Sequence, residues 1–350
     1  MFERIRANKI KSFFLVAILA TLMILAGLVL GESIAQGGGM VGVVIALIIW
    51  TVLTLVSYYA GDSMILAISH AQPIEKKDAP QLYNVVEEMS IASGLPMPKV
   101  YIIEDSAPNA FATGRNPKTA SIAVTRGLLD KMSRDELQGV VAHEMGHVLN
   151  RDILFVMMAS ILVGVLVLLC DFYLRSFWRV GGSRSSSRRE GGKGGAQAIL
   201  VILAIIMAIL APILARLLYL AISRRREYLA DATSAALTRY PEGLASALEK
   251  IANDPDVLEV ANRATSPLYI ANPIKPFEER YVAWESTHPP IGERIKILRS
   301  IAGGASYLSY QNAWRDVGQR SLRARLISPD EMAQSNTRFQ PPQQPVGPQT

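Results

Sequence analysis

Residues 133–152 read SRDELQGVVAHEMGHVLNRD. Ser133 followed three residues later by Glu136 is a capping box, so the stretch should start a helix and stay helical for about twenty residues. His143, Glu144 and His147 then form the pattern H-E-x-x-H. Residues four apart share one face of a helix, so both imidazoles can reach one ion while Glu144 reaches a water on it. Only four histidines occur in the chain, and two stand at this spacing around a glutamate. A helix face that binds nothing is therefore the weaker reading. Gly146 costs about 1 kcal/mol of helix propensity against alanine, and the reading is that it leaves room beside a metal and its substrate.

A catalytic zinc commonly has three protein ligands and a water, so a third ligand is needed. Glu227 is the candidate, at the head of the run Glu227-Tyr228-Leu229-Ala230-Asp231. Two carboxylates at i and i+4 share a helix face; the first can bind zinc, and the second can hydrogen-bond a ligand histidine and fix its tautomer. The competing reading is a surface pair that balances Arg224, Arg225 and Arg226. Position favours the metal, because His147 precedes one apolar stretch and Glu227 follows the next.

Those stretches set the class. Half of the 350 residues are hydrophobic, which is more than a soluble domain can keep off its surface. Four runs are long enough to cross a bilayer: Ser12–Leu30, Met40–Ala60, Ile153–Cys170 and Ala198–Ile222. The first follows Arg4, Arg6, Lys9 and Lys11 but is too long for a signal peptide, and Gly37–Gly39 leads straight into the second. A retained helical hairpin is the expectation. Positive flanks stay in the cytoplasm, so the amino terminus, the polar region 61–152 and everything after Ser223 are expected there. Residues 171–196 disagree: they hold six basic and two acidic residues yet fall outside after three crossings. The topology expected is four crossings, with a hairpin that does not fully cross as the alternative for 153–222.

The fold class expected is thus a mainly α membrane protein, four transmembrane helices carrying an α+β, zincin-like cytoplasmic metalloprotease domain. Its parts are the amino-terminal hairpin (1–62), a first catalytic segment with the HEMGH helix (63–152), a second hairpin with a Gly/Ser/Arg-rich loop at 181–195 (153–222), a second catalytic segment (223–328) and a disordered Pro/Gln-rich tail (329–350). Within the polar part, Leu82, Val85, Val86 and Met89 at helical spacing predict a helix over Asp78–Ser93 stopped by Gly94. Val100–Ile103 and Ser121–Val124 read as strands, and Asn109–Thr113 as an extended segment. The net charge of +6 sits mostly beside apolar runs instead of an aromatic-interleaved stripe, which points to the lipid bilayer and away from nucleic acid. Cys170, the single cysteine, cannot form an internal disulfide.

Four motifs together resemble the HtpX-like integral-membrane zinc metallopeptidases, relatives of the CAAX prenyl proteases. They are HEMGH at 143–147, EYLAD at 227–231, PNAFATG at 108–114 and THPPIGER at 287–294. The resemblance implies one zinc ion per chain, a prokaryotic inner-membrane location and cleavage of damaged or misfolded membrane proteins, with unfolded polypeptides as substrates. It also implies that Asn109, Ala110 and Phe111 form the edge along which a substrate peptide lies. An exposed strand edge can indeed bind an extended peptide with little regard to its sequence. His288 and Arg294 look like the residues that meet the substrate carbonyl or its developing oxyanion. Two rivals stand beside this reading. A metal-binding scaffold that cleaves nothing has no use for Glu144, and a CAAX-type processing protease generally has more than four spans.

Overall fold

The computed structural model describes residues 2–162, 164, 224–260, 265–271, 289–301, 305–321, 324–327 and 332. The stretch Ala198–Ile222, the loop 181–195, His288 and the tail from 333 lie outside the described residues, as does nearly all of the third apolar run beyond Leu162.

Two long helices, α1 (Phe2–Ile34) and α2 (Gly39–Ile68), form the expected hairpin. Glu32 accepts from the backbone N–H groups of Gly37 and Gly39 at 2.9 and 3.1 Å and so ties the turn together. Among the described residues, α2 is one helix long and apolar enough to cross a membrane by itself, and α1 carries the shorter apolar run Val16–Val29. Met40, Val44, Ile48, Val52 and Leu55 are exposed on α2, as expected for side chains that meet lipid. At the far end of α2, Ser57, Gly61, Ile65 and Leu66 are buried instead.

The polar part is helical around a small mixed sheet. β1 (Gln72–Pro73) leads to α3 (Pro80–Ser93), which ends at Gly94 with φ of 64°. Leu82, Val85, Val86 and Met89 are all buried, so the helical period was correctly read. β2 (Lys99–Ile103), β3 (Ala110–Thr113) and β4 (Ser121–Thr125) complete the sheet in the order β1-β2-β4-β3, with β2 parallel and β3 antiparallel to β4. Side chains alternate across a strand, and here both faces are covered. Val100, Ile102, Ala110, Ala112, Ile122 and Val124 join the catalytic-side core. Ile103, Phe111 and Ala123 pack in a second core with Trp50 and Ile65 of α2.

After α4 (Arg126–Lys131), Ser133 and Glu136 form the capping box that starts α5 (Arg134–Asn150). α5 stops where Arg151 turns left-handed, φ 55° and ψ 35°. α6 (Ile153–Leu162) then leaves at 87°, so the predicted third span starts by turning sharply away from the motif helix. α7 (Arg224–Thr238) lies against α5, and α8 (Pro241–Asn253), α9 (Ile291–Ser300) and α10 (Tyr307–Val317) close the layer. A Cβ on Gly146 would stand 3.1 Å from Ala230 Cα and 3.2 Å from Thr233 Cβ. Gly146 is therefore explained by the close approach of α5 and α7, and the expected room for substrate is not its reason.

Candidate metal centre

Close packing of α5 on α7 brings the separated motifs together. His143 is completely buried and His147 partly exposed. Their Nε2 atoms are 3.2 Å apart, and Glu227 places carboxylate oxygens 3.7 Å from His143 Nε2 and 3.8 Å from His147 Nε2. A tetrahedral ion with bonds of about 2.0 to 2.1 Å would space its ligand atoms by about 3.4 Å. The three residues fit a zinc-sized ion on that measure, and their ligand atoms all lie within 4.8 Å of one another.

Each imidazole is held from behind. His143 Nδ1 lies 2.9 Å from Asp231 Oδ1, the role expected of that aspartate. His147 Nδ1 lies 3.2 Å from Asp152 Oδ2. Asp152 is a residue that the sequence reading missed. Burial alone would lower both histidine pKa values, but the neighbouring carboxylates reverse this. Asp231 and Glu227 raise that of His143, and Asp152, Glu227 and Glu144 push that of His147 up to about 9. Carboxylates that favour cationic imidazoles also favour a metal cation between them.

Glu144 differs from every other carboxylate nearby. It is 1% exposed, and apart from a weak interaction with the Ala112 backbone N–H neither of its oxygens has a hydrogen-bond partner. Burial raises its pKa, against the pull of His143 and His147 and a weaker effect of the Ala112 backbone N–H. A buried, unpaired carboxylate is costly, and raised basicity suits a general base. Beside it, Ala112, His147, Asp152, Glu227 and Leu268 help to line a cavity of about 20 Å³. That is room for a single water.

Arg294 is placed differently from what the resemblance implies. It is fully buried, and every guanidinium nitrogen is engaged. Nε donates to Asp231 Oδ2 at 2.8 Å, Nη2 to Asp231 Oδ1 at 2.7 Å and Nη1 to the Ile270 carbonyl at 3.0 Å. In this arrangement the guanidinium holds the aspartate that holds His143. Burial would raise the Asp231 pKa, but Arg294 and His143 keep it below the usual carboxylate range. Tyr310 adds a hydroxyl to Asp231 Oδ2 at 3.3 Å, and nothing in its sequence context signals this.

β3 is an edge strand of the sheet; it holds Ala110 and Phe111, and Asn109 immediately precedes it. That edge is nevertheless covered. The Ile270 N–H donates to the Ala110 carbonyl at 3.0 Å, and Asn109 Nδ2 donates to the Ala271 carbonyl at 3.2 Å.

A model of peptidase family M48 matches residues 76–302. The chain is similar to proteins named protease HtpX homolog. That of Dictyoglomus thermophilum is 43% identical over 298 residues, covering 85% of this chain and 94% of the relative. That of Syntrophobacter fumaroxidans is 47% identical over 268 residues, 75% of this chain and 91% of the relative. That of Listeria monocytogenes is 41% identical over 305 residues, 86% of this chain and 100% of the relative. The solved structure of S. mikatae Ste24p aligns over 85% of this chain and 67% of its own at 22% identity, with a TM-score of 0.45. That likeness is too distant to bear on the chemistry.

Proposed function

We propose, from the premise that this chain belongs to peptidase family M48 and is a membrane zinc metalloprotease, that it cuts damaged or misfolded membrane proteins at the cytoplasmic face of a prokaryotic inner membrane. The observation that carries the site assignment is the convergence of His143, His147 and Glu227 beside a buried, unpartnered Glu144. In this reading His143, His147 and Glu227 hold one zinc per chain. When bound, the ion supplies Lewis acidity and makes a water acidic enough to ionise near neutral pH.

The chain's own residues do the rest. Glu144 takes the proton from the attacking water and passes it to the leaving amine. Asp231 and Asp152 keep the ligand nitrogens of the two histidines turned toward the ion. Arg294 keeps Asp231 ionised. β3 offers backbone groups to an extended peptide, which suits unfolded substrates of varied sequence. His288, by the motif it shares with the family, is assigned to the developing oxyanion.

Four membrane crossings complete the proposal. For α2 the support is its exposed apolar side and Arg115 stacking over Tyr58 and Tyr59 at 5.8 and 5.4 Å where α2 meets the catalytic part; the other three crossings rest on the apolar runs of the sequence. Aromatic and basic residues of this kind mark a membrane interface.

The test is casein cleavage by detergent-purified protein, with and without chelator, beside Glu144→Gln. The variant is expected to retain zinc and lose cleavage, because an amide cannot accept the proton. Cleavage near the wild-type level in that variant would remove Glu144 from the mechanism.

A further inference from the structure

The residues facing β3 from outside the sheet do more than cover it. Thr265–Ala271 runs along the strand edge, and Leu268, Tyr269, Ile270 and Ala271 are all buried. Just before β3, Asn109 turns its carbonyl toward β4, where Thr125 N–H donates to it. By the alternation of an antiparallel ladder, Ala110 and Ala112 present their backbone groups to the opposite side. A peptide lying on β3 would need the Ala110 carbonyl, and Ile270 N–H already occupies it at 3.0 Å. Leu268 lines the cavity of about 20 Å³ beside His147 and Glu227. A water fits there, and Leu268 stands on the wall of that space.

We infer that Thr265–Ala271 is an autoinhibitory strap, holding the place of the substrate on β3, and that cleavage requires its displacement by an extended polypeptide. This rests on the proposed reading of β3 as the substrate edge. Several contacts fasten the strap: Ile270 N–H donates to the Ala110 carbonyl, Asn109 Nδ2 reaches the Ala271 carbonyl, Arg294 Nη1 reaches the Ile270 carbonyl, and Leu268 to Ala271 pack into the two cores. Tyr269 stacks edge-to-face on Phe111 at 5.2 Å and extends its hydroxyl to Ser69, the residue that caps α2, at 3.4 Å. An unfolded segment competes by taking the Ala110 carbonyl from Ile270 and extending the ladder to Ala112, whose N–H now interacts weakly with Glu144. A folded protein offers no such segment. The strap thus biases the enzyme toward unfolded chains, and its tie to Ser69 joins it to the membrane hairpin.

Hydrogen exchange of the full-length, zinc-loaded Glu144→Gln protein in detergent, with and without excess casein, tests the inference. Casein is expected to slow exchange in 110–113 and to speed it in 265–271. Slowing at 110–113 with no change at 265–271 would overturn the strap while leaving β3 as the substrate edge. No change in either segment would remove β3 as that edge and the strap with it. A second arm uses Ile270→Pro in the otherwise wild-type enzyme, which deletes the N–H bound to Ala110. Tyr269 at φ −74° and ψ 149° has the backbone that a residue before proline needs. One net hydrogen bond lost from the closed state should raise casein cleavage about fivefold. Unchanged or lower cleavage by a variant that melts like wild type would count against autoinhibition. Should that variant fail to fold, the exchange measurement decides.

Discussion

Replacing Asp231 with asparagine is expected to disturb the fold as well as the metal. Asp231 and Arg294 are both completely buried and are joined by two parallel hydrogen bonds of 2.8 and 2.7 Å. The amide keeps the shape and removes the charge, which leaves the buried guanidinium with only the more distant Glu227 carboxylate, 4.0 Å from Nη1, as a counter-ion. Breaking one side of such a pair costs about 3–5 kcal/mol. In a domain the size of the matched residues 76–302, 1 kcal/mol moves Tm by about 2–4 °C. The expected fall is therefore roughly 6–20 °C. It is read by thermal melting of detergent-purified protein in excess chelator, so that stabilisation by bound metal does not enter. Variants are compared at one scan rate, since unfolding of such a protein need not reverse. Arg294→Met added to Asp231→Asn removes the stranded charge and should recover at least half of the loss. A melting point for Asp231→Asn within about 2 °C of wild type would show that the pair carries little, and the support for His143 through Arg294 would lose its basis.

Asp152→Asn removes the charge behind His147 and should weaken zinc binding about 10- to 100-fold; chelator competition giving the wild-type affinity would deny Asp152 that role. Gly146→Val drives a branched side chain against Ala230 and Thr233. The expected loss is about 1–3 kcal/mol of stability, with lowered zinc content as α7 carries Glu227 away, and full zinc content by metal analysis would refute this. The His147 pKa is raised to about 9 without an ion, so below that pH a proton occupies the position a metal needs. Affinity should accordingly fall as pH drops from 9 to 7, by up to about tenfold per unit for each proton displaced; a flat profile in chelator competition would contradict it.

Local signals made much of this legible in the sequence. Leu82, Val85, Val86 and Met89 marked a helix face, Gly94 its end, and Ser133 with Glu136 the start of the motif helix. Each depends on residues within about one turn of one another. Asp152 was hidden for a geometric reason. Five residues past His147 on an unbroken helix, it would point about 140° away from that histidine. Only the left-handed turn at Arg151 brings it back, and an arginine gives no cue for such a turn. The position of Arg294 was equally opaque. THPPIGER shows a basic residue on a helix after two prolines, but whether it faces a peptide or Asp231 depends on how α9 packs.

The second core shows how the membrane part and the catalytic part depend on each other. Phe111 and Ala123 point from β3 and β4 away from the motif helix and pack with Trp50 and Ile65 of α2 and Met157 of α6. Along the same two strands Ala110, Ala112, Ile122 and Val124 pack on the opposite side with Val141 and Met145 of α5. A sheet buried on both faces cannot shift on one side without disturbing the other, because packed interiors transmit displacement. Gly61 of α2 makes the contact close, since a Cβ there would stand 2.8 Å from Ile161 Cδ1. The hairpin therefore does more than anchor the enzyme. It fixes the back of the strand whose outer edge is proposed for the substrate, and through Ser69 and Tyr269 it touches the segment that now lies on that edge. A change in how α2 sits in the bilayer reaches β3 directly, by packing on one side and by the strap on the other.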